Sequence, residues 1–331
     1  MPTITSNKNM LVLPNFFLVG APRCGTTSVW SYLAKHPEAY MSYQKEPLYF
    51  GSDFTKIPNE FFVLERDAYL ELFRAGADKK IRGEASVMYM LSKKAAEEIY
   101  AFNPQARILI MLRNPVDVVY SHHGQLRWGG FEDIADFEEA YAAEADRRQG
   151  RRVPRSALML EALYYSQVGL LGEQVERYLK VFPREQVKIV FYEDLSKAPA
   201  ETYFSILDFL ELDHVPPTTF EAKNPHKEAR STDLAILLMR PPRALTIFLD
   251  RLPLKTRHWI ITRAQGLLNT RYVARKPLSY EMRARLIEHF TPDVRKLGQL
   301  TGRDLASWLK DKPRKPELSG ALVEPEARPT T

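Results

Sequence analysis

A short apolar run followed by a glycine-containing loop, at residues 16–30, constrains the fold of this chain more than any other stretch. The run Phe16–Val19 is too short for a buried helix and ends at Gly20, so it predicts a buried parallel strand. Gly20 and Gly25 allow the loop to turn its N–H groups inward, at the positive end of a helix predicted to begin near Thr26. This stretch predicts a phosphate-binding loop in an α/β fold.

The loop differs from the nucleotide-triphosphate loop GxxxxGK[ST], because Thr26 stands where that loop has its lysine. Arg23 and the hydroxyls of Thr26 and Thr27 suit a shorter anion than a β/γ-phosphate pair. A turn without a ligand is the alternative if the loop is taken alone. Cys24 lies near the positive end of the helix, which predicts a lowered thiol pKa and a reactive thiol that a bound ligand would shield.

A second strand-to-helix junction lies at residues 106–122. An apolar run leads to Arg113, and Pro115 begins a helix at the turn where proline is tolerated. Ser121 follows about two turns later, so an arginine fork and a hydroxyl can converge on one phosphate. Arg113 also stands where an ATPase has the aspartate that holds Mg²⁺, which argues against an ATPase.

Both junctions resemble the phosphate sites of sulfotransferases that use 3′-phosphoadenosine-5′-phosphosulfate (PAPS). Residues 22–27, Pro-Arg-Cys-Gly-Thr-Thr, match the family's 5′-phosphosulfate loop, and residues 112–121 match the fixed positions of its 3′-phosphate segment. Similar segments follow, so the resemblance runs from about residue 16 to residue 308. It implies a parallel α/β sheet flanked by helices, with a P-loop-like phosphate-binding loop and a helical C-terminal region.

The resemblance also implies the site residues. Glu46, in a Lys-Glu-Pro segment expected where the second strand ends, would be the general base, and Arg23 would stabilise charge on the leaving phosphate. A solvated turn is the alternative for Glu46. The residues that would bind PAPS, or its product 3′-phosphoadenosine-5′-phosphate (PAP), are Arg23, Cys24, Gly25, Thr26, Thr27, Ser28, Arg113, Ser121, Tyr192, Lys227 and Arg230.

Two positions near residue 85 depart from the family's pattern. Val87 replaces the usual proline, and Ala85 stands where glycosaminoglycan sulfotransferases often have a lysine. These departures put a second catalytic cation, and a heparan acceptor in particular, in doubt. Glu84 either orients Arg23 or the acceptor, or caps the helix expected from Ser92.

Other charged and polar features allow two interpretations each. His122 and His123 are expected on the surface or along the acceptor site, and residues 131–155 are expected to form a solvated helix and loop, with acceptor contact by its arginines as the alternative. Tyr192 and Glu193 would hold a strand end in place, and an exposed loop is the alternative at Lys227 and Arg230. Residues 232–276, basic and apolar, would form a helical lid or a surface that contacts lipid.

Composition sets broader expectations for these 331 residues, of which 45% are hydrophobic and 27% charged. We expect a domain at 10–311, with an α/β core at 10–215 and a helical region at 216–311, followed by a disordered tail at 312–331. The single cysteine excludes an internal disulfide. No signal peptide or membrane-spanning helix is expected, which predicts a cytoplasmic protein. The net charge of +6 suits a polyanionic cofactor or an acidic acceptor and does not indicate nucleic acid.

The function predicted from the sequence is sulfuryl transfer from PAPS to a hydroxyl or amine of a carbohydrate, a glycolipid or a small molecule, without a metal. Two alternatives remain at this point: a P-loop nucleotide kinase or NTPase, and a non-catalytic module that binds nucleotide or membrane. The sequence leaves the acceptor and the oligomeric state open.

Overall fold

The computed structural model describes residues 12–55, 62–220, 227–229, 270–272 and 277–310, together with single residues between 234 and 264. Arg230, most of the basic segment 232–276 and the expected tail 312–331 lie outside the described residues.

A five-stranded parallel sheet forms the centre of the described chain. Its strands are β1 (Phe16–Gly20), β2 (Ala39–Met41), β3 (Ile81–Ala85), β4 (Arg107–Leu112) and β5 (Val187–Phe191). Their order in the sheet is β2-β3-β1-β4-β5, which places β1 in the middle, and every residue of β1 is buried. Because parallel neighbours need crossover connections, helices cover the sheet between successive strands. The predicted parallel α/β fold is confirmed.

The helices bear out the two predicted strand-to-helix junctions. The first junction helix begins at Thr26 and the second at Pro115, where the Asn114 side chain caps it by accepting the Val116 N–H at 3.0 Å. The α-helices whose bounds are described are α1 (Thr26–Leu33), α2 (Arg66–Glu71), α3 (Ala95–Phe102), α4 (Pro115–Trp128), α5 (Phe137–Ala142), α6 (Glu144–Arg147), α7 (Tyr165–Val168), α8 (Leu171–Val181), α9 (Tyr192–Lys197), α10 (Pro199–Leu210) and α11 (Tyr280–Thr301). Short 3₁₀ turns cover Arg74–Gly76, Val87–Met90, Glu161–Leu163, Arg184–Gln186 and Ala306–Leu309.

Two further strands lie beside α4. β6 (Lys227–Ala229) and β7 (Thr270–Tyr272) pair antiparallel, and β6 packs against α4. The Trp128 Nε1–H at the end of α4 donates to Thr270 Oγ1 at 2.9 Å. The backbone of Lys227 therefore lies next to the helix that carries Ser121.

The C-terminal region contains one long helix, although Pro292 in the sequence predicts a pair of helices at 280–290 and 293–300. α11 continues through Pro292. The Asp293 carboxylate accepts the N–H groups of Gly172 and Glu173 at 2.6 and 2.9 Å, and so caps the start of α8. Packing of α11 on α8 thus holds the segment helical on both sides of the proline, which overrides the usual break at proline.

The segment 131–155 is not solvated throughout, and this part of the sequence interpretation is wrong. Glu132 and Arg147 are buried, and Arg147 Nη1 and Nη2 each donate to one oxygen of Glu132 at 2.8 Å. The Tyr165 hydroxyl donates to the same carboxylate at 2.7 Å. Burial alone would raise the pKa of Glu132, but the bonds from Arg147 leave it below its ordinary value. Burial is possible because each charge has a bidentate partner.

Candidate active site

The loop between β1 and α1 has the strained backbone of a close-fitting turn. Gly20 has a φ of 150°, and a Cβ atom there would lie 2.4 Å from the Met111 carbonyl oxygen on β4. Gly25 has a φ of 88° and precedes the first residue of α1. Arg23, which is not a glycine, also has a positive φ of 67°. Such backbone strain is concentrated at ligand-binding sites, so this loop is the first element of the candidate site.

The first turn of α1 contributes hydroxyl groups at the positive end of the helix. Thr26 and Ser28 are buried and Thr27 is half-buried. The Ser28 and Val29 N–H groups bond back to the Gly25 carbonyl oxygen at 3.0 and 3.2 Å, which closes the first turn. N–H groups at such a helix start attract an anion.

Arg23 and Arg113 lie side by side at neighbouring strand ends. Arg113 Nη1 donates to the Arg23 carbonyl oxygen at 3.2 Å, and the Arg113 guanidinium lies over the Tyr192 ring, 4.6 Å from its centroid. Burial, and then the positive charge of Arg113, lower the pKa of the Arg23 guanidinium. Tyr192 begins α9 directly after β5. The three adjacent strands β1, β4 and β5 are therefore followed by Arg23, Arg113 and Tyr192, which together form this group of side chains.

Ser121 lies on the side of α4 that faces Arg113, as the contact between Arg113 and Asp117 indicates. Arg113 Nη2 lies 3.9 Å from Asp117 Oδ2, and Ser121 is one helical turn beyond Asp117, on the same face of the helix. Asp117 Oδ1 also lies 3.6 Å from Nη1 of Arg283 on α11. Sequence reasoning missed Arg283, because nothing in the pattern around residue 283 points to a helix-to-helix contact at the sheet edge.

Glu46 lies at the end of β3, whereas the sequence interpretation places it at the end of the second strand. β2 ends at Met41, and Glu46 follows in a loop with a positive φ of 61°. Its N–H donates to the Ala85 carbonyl oxygen, the last residue of β3, at 2.9 Å. Its carboxylate accepts the Val87 N–H at 2.8 Å and the Lys45 ammonium at 2.6 Å. Since β3 borders β1, Glu46 is at the sheet edge from which the phosphate-loop residues extend.

In the described part of the chain, the hydrogen bonds of Glu84 go neither to Arg23 nor to the start of α3. Glu84 is fully buried, and its carboxylate accepts the hydroxyls of Tyr69, Ser86 and Tyr89 at 2.5, 2.7 and 3.1 Å. Burial raises its pKa to about 7. Ser92 Oγ instead accepts the N–H groups of Lys94 and Ala95, at the start of α3, at 3.1 and 2.8 Å.

The predicted reactive thiol is wrong. Cys24 is fully buried, its Sγ atom lies 3.6 Å from the Pro22 carbonyl oxygen, and burial raises the pKa of the thiol well above its usual value. Its side chain is part of the hydrophobic core.

The expected surface or acceptor-lining role of the histidine pair is also wrong. His122 and His123 are buried, and they donate through Nε2 to the carbonyl oxygens of Ala162 and Ile134 at 2.8 and 3.0 Å. Burial lowers the pKa of His122 to about 4.

Fold and site together define an α/β protein with an anion site of the phosphate-loop type. The profile of the sulfotransferase domain matches residues 13–222 of this sequence. The chain therefore belongs to the sulfotransferase family, a class of transferase enzymes, which sets aside the alternatives of a kinase, an NTPase and a non-catalytic module.

Individual relatives agree with this assignment. A sulfotransferase from Alicyclobacillus acidocaldarius, known from a crystal structure, is 30% identical, with a TM-score of 0.66 over 90% of this chain and 99% of that one. The membrane-associated sulfotransferase kil1 of Dictyostelium discoideum is 20% identical, and the alignment covers 65% of this chain and 59% of kil1. Mouse carbohydrate sulfotransferase 15 is 28% identical, with 60% of this chain and 44% of that protein covered.

Coverage of the curated relatives is partial. The human bifunctional heparan sulfate N-deacetylase/N-sulfotransferase 2 is 27% identical and is covered over 22% of its length. The chain thus spans between 22% and 59% of the length of these curated relatives. Among the described residues, no helix combines the length and the apolar character needed to cross a membrane.

Proposed function

We propose that this chain transfers the sulfuryl group of PAPS to a hydroxyl or amine of an acceptor, with carbohydrates as the acceptor class. The observation that carries this proposal is the pairing of Arg23 with Arg113 beside the glycine-containing loop. Two like charges held together in a half-buried position repel each other, and a bound anion relieves that repulsion. Such a pair is typical of a site for a polyanionic ligand.

The residues present fit a donor with anionic groups at two ends. The N–H groups at the start of α1, with Thr26 and Thr27, suit the 5′-phosphosulfate. Arg113 and Ser121 suit the 3′-phosphate, since the arginine offers two parallel donors and the hydroxyl lies on the facing side of α4. Lys227 remains a candidate on the basis of its place in β6, next to that helix.

The reaction then needs a base and a stabilised leaving group. PAPS supplies the sulfuryl group, and its bond to the 5′-phosphate breaks as the bond from sulfur to the acceptor atom forms. Glu46 takes the proton of the acceptor, and the Val87 N–H and Lys45 fix the direction of its carboxylate. Arg23 stabilises the charge that develops on the leaving phosphate. The products are PAP and a sulfated acceptor, and the proton is on Glu46.

Carbohydrates are the proposed acceptor class because relatives named as carbohydrate and heparan sulfate sulfotransferases align with this domain. Ala85 stands where a lysine is expected in glycosaminoglycan enzymes, so the proposal is the class and not heparan sulfate itself.

The decisive experiment measures transfer from radiolabelled PAPS to desulfated heparan oligosaccharides and to fractionated cell lysate. At saturating PAPS, Glu46→Gln should lower turnover by roughly 10²–10⁴-fold, the usual contribution of a positioned base. PAP affinity should stay nearly unchanged. Glu71→Gln, at an exposed glutamate paired with Arg74, is the matched control. Equal turnover of Glu46→Gln and wild type would show that Glu46 is not the base.

A further inference from the structure

We propose that Glu84 is a positioning residue that holds the Glu46 turn in place through the hydroxyls of Ser86 and Tyr89. This inference rests on the proposed role of Glu46 as the base. Glu84 is on β3, and its carboxylate bonds to the hydroxyls of Tyr69, Ser86 and Tyr89 rather than to Glu46 or Arg23. Its effect on the reaction is therefore exerted through the backbone of residues 46–50.

The turn that carries Glu46 needs external support. Glu46 has a φ of 61° and Leu48 a φ of 51°, and both are in the left-handed region that side chains disfavour. Such conformations persist only where surrounding contacts fix them. The Pro47 carbonyl oxygen accepts the Val63 N–H at 2.9 Å, which fixes the turn from one side. On the other side, the segment 84–89 fixes it.

The direction of the hydrogen bonds identifies Glu84 as the centre of this support. The hydroxyls of Ser86 and Tyr89 donate to its two oxygens at 2.7 and 3.1 Å, so their protons point towards Glu84. The oxygen atoms of those hydroxyls can then accept from the turn. Ser86 Oγ accepts the Leu48 N–H at 3.5 Å, and the Tyr89 oxygen accepts the Phe50 N–H at 3.3 Å. Each hydroxyl therefore donates to Glu84 and accepts one backbone N–H group of the turn, so Glu84 fixes the position of that N–H group through the hydroxyl.

The same segment also holds Glu46 directly. The Ala85 carbonyl oxygen accepts the Glu46 N–H at 2.9 Å, and the Val87 N–H donates to the Glu46 carboxylate at 2.8 Å. Ala85 and Val87 flank Ser86 in the chain, so a shift of Ser86 would move both contacts. Fixing the hydroxyls on Glu84 therefore fixes the direction of the base.

Tyr69 provides a matched control, because its hydroxyl also donates to Glu84, at 2.5 Å. Tyr69→Phe and Tyr89→Phe each remove one buried hydroxyl that donates to Glu84. Only Tyr89→Phe, and likewise Ser86→Ala, also removes the recorded acceptor of a turn N–H group. If the cluster only stabilises the fold, activity should fall in proportion to the free energy of unfolding in all three variants.

The experiment measures kcat, KM for PAPS and the free energy of unfolding, with desulfated heparan oligosaccharides as the acceptor probe. We expect Tyr89→Phe and Ser86→Ala to lower kcat by roughly 10-fold or more with KM for PAPS unchanged, since base positioning contributes to the chemical step. Tyr69→Phe should keep kcat within about 2-fold while it loses a comparable amount of stability. Glu84→Gln, which keeps the volume and presents an amide donor to the hydroxyls, should also lower kcat.

Amide hydrogen exchange supplies a readout that does not depend on activity. The Phe50 amide should exchange faster in Tyr89→Phe and the Leu48 amide faster in Ser86→Ala, and neither should change in Tyr69→Phe. An unchanged kcat in Tyr89→Phe, while Glu46→Gln is inactive, overturns the positioning role alone. Full activity of Glu46→Gln overturns the base assignment and the positioning role together, whatever the exchange rates show.

Discussion

Replacing Arg147 by methionine should destabilise this protein more than the loss of any surface charge. Arg147 and Glu132 are both fully buried and joined by two hydrogen bonds of 2.8 Å. In Arg147→Met the Glu132 carboxylate stays buried and keeps only the Tyr165 hydroxyl and the Ile134 N–H as donors among its recorded contacts. Breaking a buried pair from one side costs about 3–5 kcal/mol. That is a large part of the roughly 5–15 kcal/mol by which a domain is stable.

Two variants control for the loss of a charge as such. Arg152 pairs with Glu139 at 2.6 Å, but the two side chains are 42% and 60% exposed, so Arg152→Met should cost about 0–1 kcal/mol. The double variant Glu132→Gln with Arg147→Met removes the stranded charge and keeps an acceptor for Tyr165. It should recover about half or more of the loss, because the two substitutions act on one interaction.

Urea unfolding at neutral pH gives the free energy of unfolding of the three variants from the midpoint and the slope of each transition. The penalty of Arg147→Met should shrink as the pH falls into the carboxylate range, since protonation neutralises the stranded Glu132. In wild type, the pKa of Glu132 is below its ordinary value, so its contribution to stability is present above pH 4.5 and lost below it. A loss in Arg147→Met no greater than in Arg152→Met would refute the argument from burial.

Three further predictions concern the site and its surroundings. Arg113→Ala should weaken PAP binding by about 10–100-fold in calorimetry, because a hydrogen bond to a charged group contributes that much to affinity. Unchanged PAP affinity in a folded variant would show that Arg113 does not bind PAP. Native Cys24 should resist iodoacetamide with or without PAP because the thiol is buried, whereas labelling at the rate of the urea-unfolded chain would contradict that burial. Burial lowers the pKa of His122 from 6.5 to about 4, so wild type should lose up to about 3 kcal/mol of stability relative to His122→Gln as the pH falls from 6.5 to 4. Parallel pH curves for the two proteins would show that His122 is not held neutral.

The parts of the fold that sequence alone predicts are those governed by short-range constraints. The strand before Gly20, the helix start at Thr26 and the proline-initiated helix at Pro115 are all as predicted. In each case, residues within one short window limit the backbone: an apolar run, a glycine that permits positive φ, or a proline that suits only the first turn. The assignment to the sulfotransferase family follows from the same local segments.

Only the tertiary structure decides which side chains meet and which of them are buried. Glu46 is fixed at the end of β3 by the carbonyl oxygen of Ala85, and Arg283 reaches Asp117 from the C-terminal helix. Glu132 and Arg147 look like surface charges in a charged segment, but each finds its partner inside the protein. These outcomes depend on strand order and on packing between residues distant in the chain, and the energy of a charge depends on that burial. A local sequence pattern contains no information on strand order or on the burial of a side chain.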